Sequence, residues 1–246
     1  MRIALMTDIH GNLAALDAVL RDIERRAVDM TVNLGDVVSG PLLPRATAER
    51  LMPLGLPTIR GNHERQILTQ SLGELGESDH FAALELLDEQ RAWLASFPET
   101  LALDGDVLLC HGTPQNDLDY LLETIDADGF RPATVAEVVE RTAGCTARLI
   151  ACGHSHLPRA MRLRNGTMVL NPGSVGLQAY PARRPLPHIV EAGSPHARYA
   201  IAQRHDADWD VELIEVAYDW EAAAKTAAAN GRPDWAIGLH TGRVEG

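Results

Sequence analysis

The amino-acid sequence predicts an α/β fold built around a parallel sheet, and two observations carry that prediction. Apolar β-prone runs alternate with helical patterns, in the order strand, helix, strand, helix, strand over residues 2–60. Such an alternation is typical of parallel strands joined by helices. Polar residues with ligand chemistry follow the ends of successive predicted strands, at the edge where an α/β sheet collects its ligands.

Short apolar runs bounded by glycine, asparagine or aspartate predict the strands. They lie at residues 2–7, 30–34, 57–60 and 147–152, with hairpins at residues 101–110, 159–170 and 198–217. The pairs Asp104-Gly105 and Asn165-Gly166 favour tight turns in the first two hairpins, because these residues tolerate the positive φ that such a turn needs.

Apolar residues at helical spacing predict the helices, with Asn12 as the cap of the first one. The helices lie at residues 13–23, 46–52, 64–98, 135–141 and 220–229. Residues 113–134 are polar and acidic and predict a long loop, and the proline-rich residues 181–195 predict an irregular one. The last dozen residues show no clear pattern.

Composition and charge narrow the class of protein. The chain has 246 residues and a net charge of 22 − 34 = −12, which argues against an extended nucleic acid or a membrane surface as partner. Two of its cysteines, Cys110 and Cys152, lie in apolar runs and are expected to be reduced core residues. We expect a cytoplasmic protein, since no signal peptide or membrane-spanning run is evident. The oligomeric state stays open.

A set of residues with metal-ligand chemistry forms the main functional signal. Each member alone has an ordinary structural explanation, such as a helix cap or a turn. Together they recur in one order, each after a predicted strand, and supply oxygen and nitrogen donors for two metals. The set comprises Asp8, His10, Asp36, Asn62, His63, His111, His154 and His156.

Mixed imidazole and carboxylate donors suit Mn²⁺, Fe, Zn²⁺ or Ni²⁺, and suit Ca²⁺ poorly. Two such ions about 3.5–4 Å apart clamp an in-line displacement at phosphorus and lower the pKa of a bridging water, which gives a hydroxide nucleophile. The expected cofactor is therefore a pair of divalent transition-metal ions, with Mn²⁺ first among them, and the expected partner is a small phosphorylated substrate.

The order of these motifs resembles the calcineurin-like metallophosphoesterase superfamily. The matching blocks are Asp-Ile-His-Gly-Asn at 8–12, Gly-Asp at 35–36, Gly-Asn-His-Glu at 61–64, His-Gly at 111–112 and Gly-His-Ser-His at 153–156. The run Asn-Pro-Gly-Ser at 171–174 also resembles the segment that follows in the small prokaryotic phosphodiesterase branch. The resemblance implies a four-layer αββα sandwich of two mixed sheets flanked by helices. We expect residues 1–246 to form one such domain, with a helical insertion around residues 65–98.

The resemblance also implies a role for each site residue. One metal would be held by Asp8, His10, Asp36 and His156, and the other by Asp36, Asn62, His111 and His154, with Asp36 bridging. His63 would act near the departing oxygen as general acid or transition-state stabiliser, or would instead orient Asn62. Arg60 and Ser174 are the candidate substrate contacts, although Arg60 equally fits an ordinary surface residue.

The implied function is hydrolysis of a phosphodiester through a metal-bridging hydroxide. The alternative is a phosphomonoesterase acting on phosphoserine or phosphothreonine in proteins, on nucleotides or on metabolites. A non-catalytic scaffold is disfavoured because no ligand of the family pattern is missing. Selectivity is expected from three segments: the helical insertion at 65–98, the loop at 113–134 and the loop at 177–197, which carries Tyr180, Arg183, Arg184 and His188.

Overall fold

The computed structural model describes residues 1–127, 129–206 and 208–245 of the chain. Its strands, in chain order, are β1 (Arg2–Met6), β2 (Met30–Asn33), β3 (Leu101–Leu103), β4 (Val107–Leu109), β5 (Glu123–Asp126), β6 (Gly129–Pro132), β7 (Leu149–Ala151), β8 (Arg159–Arg162), β9 (Met168–Asn171), β10 (Ala179–Ala182), β11 (His188–Glu191), β12 (Ala197–His205) and β13 (Asp208–Val216). Its helices are α1 (Leu13–Ile23), α2 (Pro44–Leu51), α3 (Asn62–Thr69), α4 (Glu77–Glu85), α5 (Asp88–Ala95), α6 (Val135–Arg141), α7 (Trp220–Ala229) and α8 (Pro233–Thr241).

Two mixed sheets form the centre of the fold. The first has the strand order β13-β12-β1-β2 and the second β3-β4-β7-β9-β8. The pairs β1–β2, β4–β7 and β7–β9 are parallel, and the remaining pairs in these sheets are antiparallel. The carboxyl ends of β1 and β2 therefore share one edge, and those of β4, β7 and β9 share another.

The alternation of side chains along β1 shows how the layers assemble. Ile3 and Leu5 pack between the two sheets, in a cluster that includes Leu109 and Leu149. Ala4 and Met6 point the other way and pack against the apolar face of α1. Each buried Ile or Leu contributes about 1.5–3 kcal/mol, and a slip of one residue would exchange the two faces.

The second sheet is covered in the same way on its outer face. Cys110, Ile150 and Cys152 pack there with Val138 of α6. Both thiols are buried and free, as expected from the sequence. Helices therefore lie outside each sheet, and the four-layer αββα sandwich is confirmed.

Several local predictions hold. The predicted hairpins form as β3–β4, β8–β9 and β12–β13. Asp104 and Gly105 both take positive φ at 49° and 67°, as a tight hairpin turn requires. Asn12 caps α1 by accepting a hydrogen bond from the backbone N–H of Ala15 at 3.1 Å. The segment predicted as mostly helical between residues 64 and 98 contains α3, α4 and α5.

Other predictions were wrong in instructive ways. The strand expected at residues 57–60 is reduced to one bridge between Asn33 and Thr58, since Pro57 has no N–H to extend a ladder. The segment 113–134, expected to be a long loop, contains the two-stranded ribbon β5–β6, and the segment 181–195, expected to be irregular, contains β11 and the end of β10. Pro181 is tolerated in β10 because an isolated ribbon has an open edge.

The C-terminal residues also contain a helix that the apolar pattern does not reveal. Its start carries Pro233 in the first turn, and its end carries Gly242 at φ 67° in the left-handed region. Both are standard boundary signals. None of the helices among the described residues is both long and apolar enough to cross a bilayer. The one-domain organisation stays a prediction.

Candidate metal centre

The predicted ligands converge at one edge of the two sheets. The turns after β1, β2, β4 and β7 carry six of them, and the start of α3 carries the seventh, Asn62. They form two groups of three residues whose ligand atoms lie within 4.8 Å of one another. Asn62 joins the second group, because its Oδ1 lies 3.1 Å from Nε2 of His111. The groups are Asp8 with His10 and His156, and Asp36 with His111 and His154.

Asp8 has an oxygen that the protein alone does not satisfy. Its Oδ1 is buried and has no hydrogen-bond donor among the described residues. Three ring nitrogens surround it, since Nε2 of His156 lies at 3.4 Å and Nε2 of His10 and of His111 each at 4.0 Å. A buried carboxylate oxygen without a donor is costly, and a cation between these atoms would satisfy it. The donor set therefore fits divalent metal ions.

Three of the histidines are oriented by the main chain. The Nδ1–H of His10 donates to the carbonyl of Ser39 at 2.8 Å, that of His111 to Leu34 at 2.8 Å, and that of His156 to Leu177 at 2.7 Å. These contacts select the tautomer whose Nε2 carries the lone pair. In each ring Nε2 is therefore the nitrogen that faces Asp8, at 3.4 Å for His156 and 4.0 Å for His10 and His111.

His154 uses the opposite ring nitrogen. Its Nε2 lies 2.9 Å from the carbonyl of Leu118, which leaves Nδ1 for a ligand. Burial, reinforced by the neighbouring His111, lowers the pKa of His154 to about 4. Burial and the neighbouring His156 lower the pKa of His10 to about 3. Both rings are therefore neutral near pH 7, the form in which imidazole binds metal.

The carboxylates are held in their charged form. Burial by itself raises the pKa of Asp36, but the charges on His111 and His63 outweigh it and bring the pKa well below its usual range. For His111, burial by itself lowers the pKa, but the negative charges of Asp36 and Asp8 have the larger effect and raise the pKa to about 9. A bound cation would replace that proton, so metal binding at this centre is expected to release protons.

Two glycines let the turns approach the ligands. A Cβ on Gly61 would lie 2.2 Å from Oδ1 of Asp36, and one on Gly153 would lie 2.2 Å from Oγ1 of Thr7. No side chain fits at either distance. Glycine is needed at both positions because the backbone there lies directly against a neighbouring turn, at Asp36 for Gly61 and at Thr7 for Gly153.

Glu64 supports the site, although the sequence motifs did not predict a role for it. Its carboxylate is fully buried and accepts hydrogen bonds from the backbone N–H groups of Asp36, Val37 and Gly61 at 2.7–2.9 Å. It therefore ties the turn after β2 to the start of α3. A glutamate three residues after the helix-capping position was a visible signal for this role.

His63 lies beside the two groups and is held by a second unassigned residue, Asp79. Its Nδ1 is 2.8 Å from Oδ1 of Asp79, and its Nε2 is 3.9 Å from Oδ2 of Asp36. Burial lowers the pKa of His63, but Asp36 and Asp79 outweigh it and raise it to about 10. Asp79 comes from α4, so long-range packing rather than a local motif places it.

A cavity of about 990 Å³ opens onto the centre and is lined by His10, Asp36, His63, His154 and His156. Helix α8 contributes Trp235 to its wall, with the indole packed edge-on to the His10 ring at a centroid distance of 5.9 Å. Tyr180 lines the same cavity and packs edge-on to His156 at 4.7 Å. No periodic pattern in the sequence predicts the helix that carries Trp235.

The two predicted substrate contacts have different surroundings. Arg60 lines a second cavity of about 370 Å³, which also reaches His111, and its guanidinium pairs with Glu99 at 2.6 Å. Ser174 is fully buried. Its hydroxyl donates to the carbonyl of Asp8 and accepts from the N–H of Leu177, each at 2.8 Å. This burial favours a structural role for Ser174 over the expected contact with substrate.

Comparison with known proteins relates the chain to a described family. A family model for the calcineurin-like phosphoesterase superfamily domain matches residues 1–188. The chain is 27% identical over 250 residues to an uncharacterized protein of Methanocaldococcus jannaschii, with 95% of this chain and 94% of that protein covered. The crystal structure of a metallophosphoesterase from Sphaerobacter thermophilus has a TM-score of 0.75 and 25% identity, covering 98% of this chain and 99% of the other. A hypothetical protein from Pyrococcus horikoshii OT3 has the same fold, with a TM-score of 0.75, 20% identity and 98% of each chain covered.

Proposed function

Because this chain belongs to the calcineurin-like phosphoesterase superfamily, we propose that it is a dinuclear metal-dependent enzyme that hydrolyses phosphodiester bonds. The strongest support is that two groups of three potential ligands lie side by side. The Oδ1 of Asp8, which accepts no hydrogen bond, is close to ring nitrogens of both groups. Such an arrangement suits two cations better than one.

The ligand assignment follows the two groups. Asp8, His10 and His156 would hold one ion, and His111, His154 and Asn62 the other. Asp36 would bridge the two ions. Bound divalent ions supply positive charge to the reacting phosphoryl group and lower the pKa of a water molecule, so that it can attack phosphorus near neutral pH. We propose Mn²⁺, because nitrogen-rich ligand sets favour it over Mg²⁺.

His63 would act on the departing oxygen. Asp79 holds its Nδ1, so Nε2 is the atom that faces the centre. From there it can donate a proton or a hydrogen bond to the oxygen that leaves phosphorus. The competing role, in which His63 only orients Asn62, is less favoured, because its ring is bonded to Asp79 and its backbone N–H to Oδ1 of Asp36 at 3.0 Å.

Space on more than one side of the centre favours a diester. The larger cavity reaches His10, Asp36, His154 and His156, and the smaller one reaches His111. A phosphodiester carries an organic group on each of two oxygens, so it can place one group in each cavity. A phosphomonoester would leave one of them unused.

The deciding measurement is the ratio of turnover on bis(p-nitrophenyl) phosphate to turnover on p-nitrophenyl phosphate, with metal-loaded protein of known metal content. The leaving group is the same in both compounds, so the ratio reports the preference for diester or monoester. We expect a ratio above one. A ratio well below one, at saturating metal, would instead make the protein a phosphomonoesterase.

A further inference from the structure

The larger cavity carries two arginines that the proposed chemistry does not use. Arg183 and Arg184 both line it, and both come from the connection between β10 and β11. The cavity's third arginine, Arg232, is bound to Asp234 at 2.6 Å and to Ser78 at 2.9 Å. Among the described residues, no carboxylate oxygen lies within 4 Å of a nitrogen of Arg183 or Arg184, and both residues are exposed.

The position of these arginines is unusual for this molecule. The chain has a net charge of −12, and most of its arginines are bonded to carboxylates or to backbone carbonyls. Three acidic residues, Asp36, Asp119 and Asp234, also line the cavity, but none of their carboxylates lies within 4 Å of a guanidinium nitrogen of Arg183 or Arg184. A cavity wall with unpaired guanidinium groups is suited to an anion, since guanidinium binds phosphate through two parallel hydrogen bonds.

Much of the remaining wall of this cavity is apolar or aromatic. Tyr180 packs edge-on to His156 at a centroid distance of 4.7 Å and Trp235 packs edge-on to His10 at 5.9 Å, and Leu177 and Ala179 line the same cavity. An organic group attached to the reacting phosphorus would therefore meet aromatic rings in the same cavity that Arg183 and Arg184 line. A cavity of about 990 Å³ is large enough to enclose such a group.

We propose that Arg183 and Arg184 form a subsite for a second phosphate of the substrate. This rests on the proposed phosphodiesterase activity. The substrate class is an organic phosphodiester whose group in the larger cavity contains an aromatic ring and carries a further phosphate, as a nucleotide with two phosphorylated positions does. One phosphate lies at the metal centre and reacts, and the other lies on the hairpin and positions the molecule.

The test uses two chromogenic diesters that differ only in the second phosphate. They are thymidine 5′-(p-nitrophenyl phosphate) and the same compound with a 3′-phosphate. We expect kcat/KM of the metal-loaded enzyme to be about 10-fold or more higher for the 3′-phosphorylated compound, through a lower KM, because charge-assisted hydrogen bonds to phosphate strengthen binding in ground and transition state alike.

The double variant Arg183→Gln with Arg184→Gln should lose this preference and keep its turnover of the simple diester. The matched control is Arg25→Gln with Arg164→Gln, which removes the same charge from two exposed arginines that line neither cavity. The control should keep the preference. An equal loss on both compounds, an equal effect of the control, or no preference in the wild type would overturn the subsite.

Failure of the catalytic proposal has a different signature, namely no metal-dependent turnover of either compound. Calorimetry then still tests the subsite, with thymidine 3′,5′-bisphosphate and thymidine 5′-monophosphate as probes. The bisphosphate should bind at least about 10-fold more tightly to the wild type and lose that advantage in the arginine double variant. Equal affinities for the wild type would rule out the subsite.

Discussion

Five of the proposed ligands share a backbone conformation that side chains rarely adopt. Asp8, His10, Asp36, His154 and His156 have φ between 52° and 68°. This left-handed region costs a residue with a side chain about 1–2 kcal/mol. It persists because neighbouring turns hold one another, as where the N–H groups of Asp8 and His10 donate to the carbonyls of Gly35 and Asp36, each at 3.0 Å. Strain of this kind concentrates at functional sites.

Asp36 is the residue on which both proposed ions depend. Asp36→Asn keeps the shape of the side chain but removes the negative charge, so we expect metal content to fall well below two ions per chain and turnover to fall at least about 100-fold. Elemental analysis of the purified variant and a diesterase assay check this. Asp29→Asn is the control, because that carboxylate is exposed and lies before β2, whereas Asp36 follows the other end of the strand. Wild-type turnover in a metal-loaded Asp36→Asn protein would refute the bridging assignment.

His63 should matter most where the leaving group is poor. A nitrophenolate departs without help, whereas an alkoxide needs a proton or a hydrogen bond as the bond breaks. General acid catalysis is worth about 10²–10⁴-fold, so His63→Ala should lose that much rate on an alkyl or nucleoside ester and much less on a nitrophenyl ester. Parallel assays on both esters, at measured metal occupancy, give the comparison.

Asp79→Asn provides a second measurement of the same role. It keeps a side-chain oxygen near Nδ1 of His63 but removes the charge, so the dependence on the leaving group should shift in the same direction and by less. If both variants instead lose rate equally on the two esters and recover with excess metal, His63 orients Asn62 and does not act as the acid.

The turns that follow the strands pack directly against one another, and glycine is required where their backbones come close to a ligand side chain. Gly61→Ala should reduce stability by about 1–3 kcal/mol and weaken metal binding, since the new Cβ would meet Oδ1 of Asp36 at 2.2 Å. Backbone conformation is not the cause, because φ of Gly61 is −88°. Denaturant unfolding and metal titration measure the two effects.

Gly73→Ala is the matched comparison for that change. A Cβ there would meet nothing within 4 Å, and its φ is outside the left-handed region. This substitution should leave metal binding unchanged and keep stability or raise it slightly. Similar losses in the two variants would mean that the close approach of backbone to Asp36 is not required.

Elements with local signals could be predicted from the sequence, and elements that depend on distant contacts could not. Helix α1 has both an apolar face and a capping residue, Asn12, and its bounds were predicted correctly. The β10–β11 ribbon has no such local pattern, because prolines interrupt it and its outer side chains are exposed. Its position over the cavity comes from contacts such as the Tyr180 hydroxyl donating to the carbonyl of His154 at 3.1 Å.

The residues of the site also fall into those that local sequence patterns predict and those that depend on distant contacts. The seven proposed ligands could be named because each follows a strand end or begins a helix, where local chain order determines position. Asp79 and Trp235 could not, since α4 and α8 reach the centre only through packing of the complete chain. The fold thus brings together candidate metal ligands that local sequence patterns predict and a cavity wall that they do not predict.

Metal binding should also stabilise the whole molecule. Two buried carboxylates, Asp8 and Asp36, lie at the junction of the sheets, and the Oδ1 of Asp8 has no donor. A ligand that binds only the folded chain adds about 2.7 kcal/mol at 100 times its dissociation constant, which for a chain of this size raises Tm by about 5–11 °C per site. We therefore expect EDTA to lower Tm and abolish diesterase activity, and Mn²⁺ to restore both.

Mg²⁺ should restore Tm and activity less than Mn²⁺ does, since it prefers oxygen ligands and water to imidazole. The Asp36→Asn variant serves as the control in thermal scans and should show a much smaller rise with Mn²⁺. Full activity and an equal rise in Tm with Mg²⁺ alone would contradict a centre built for transition metals.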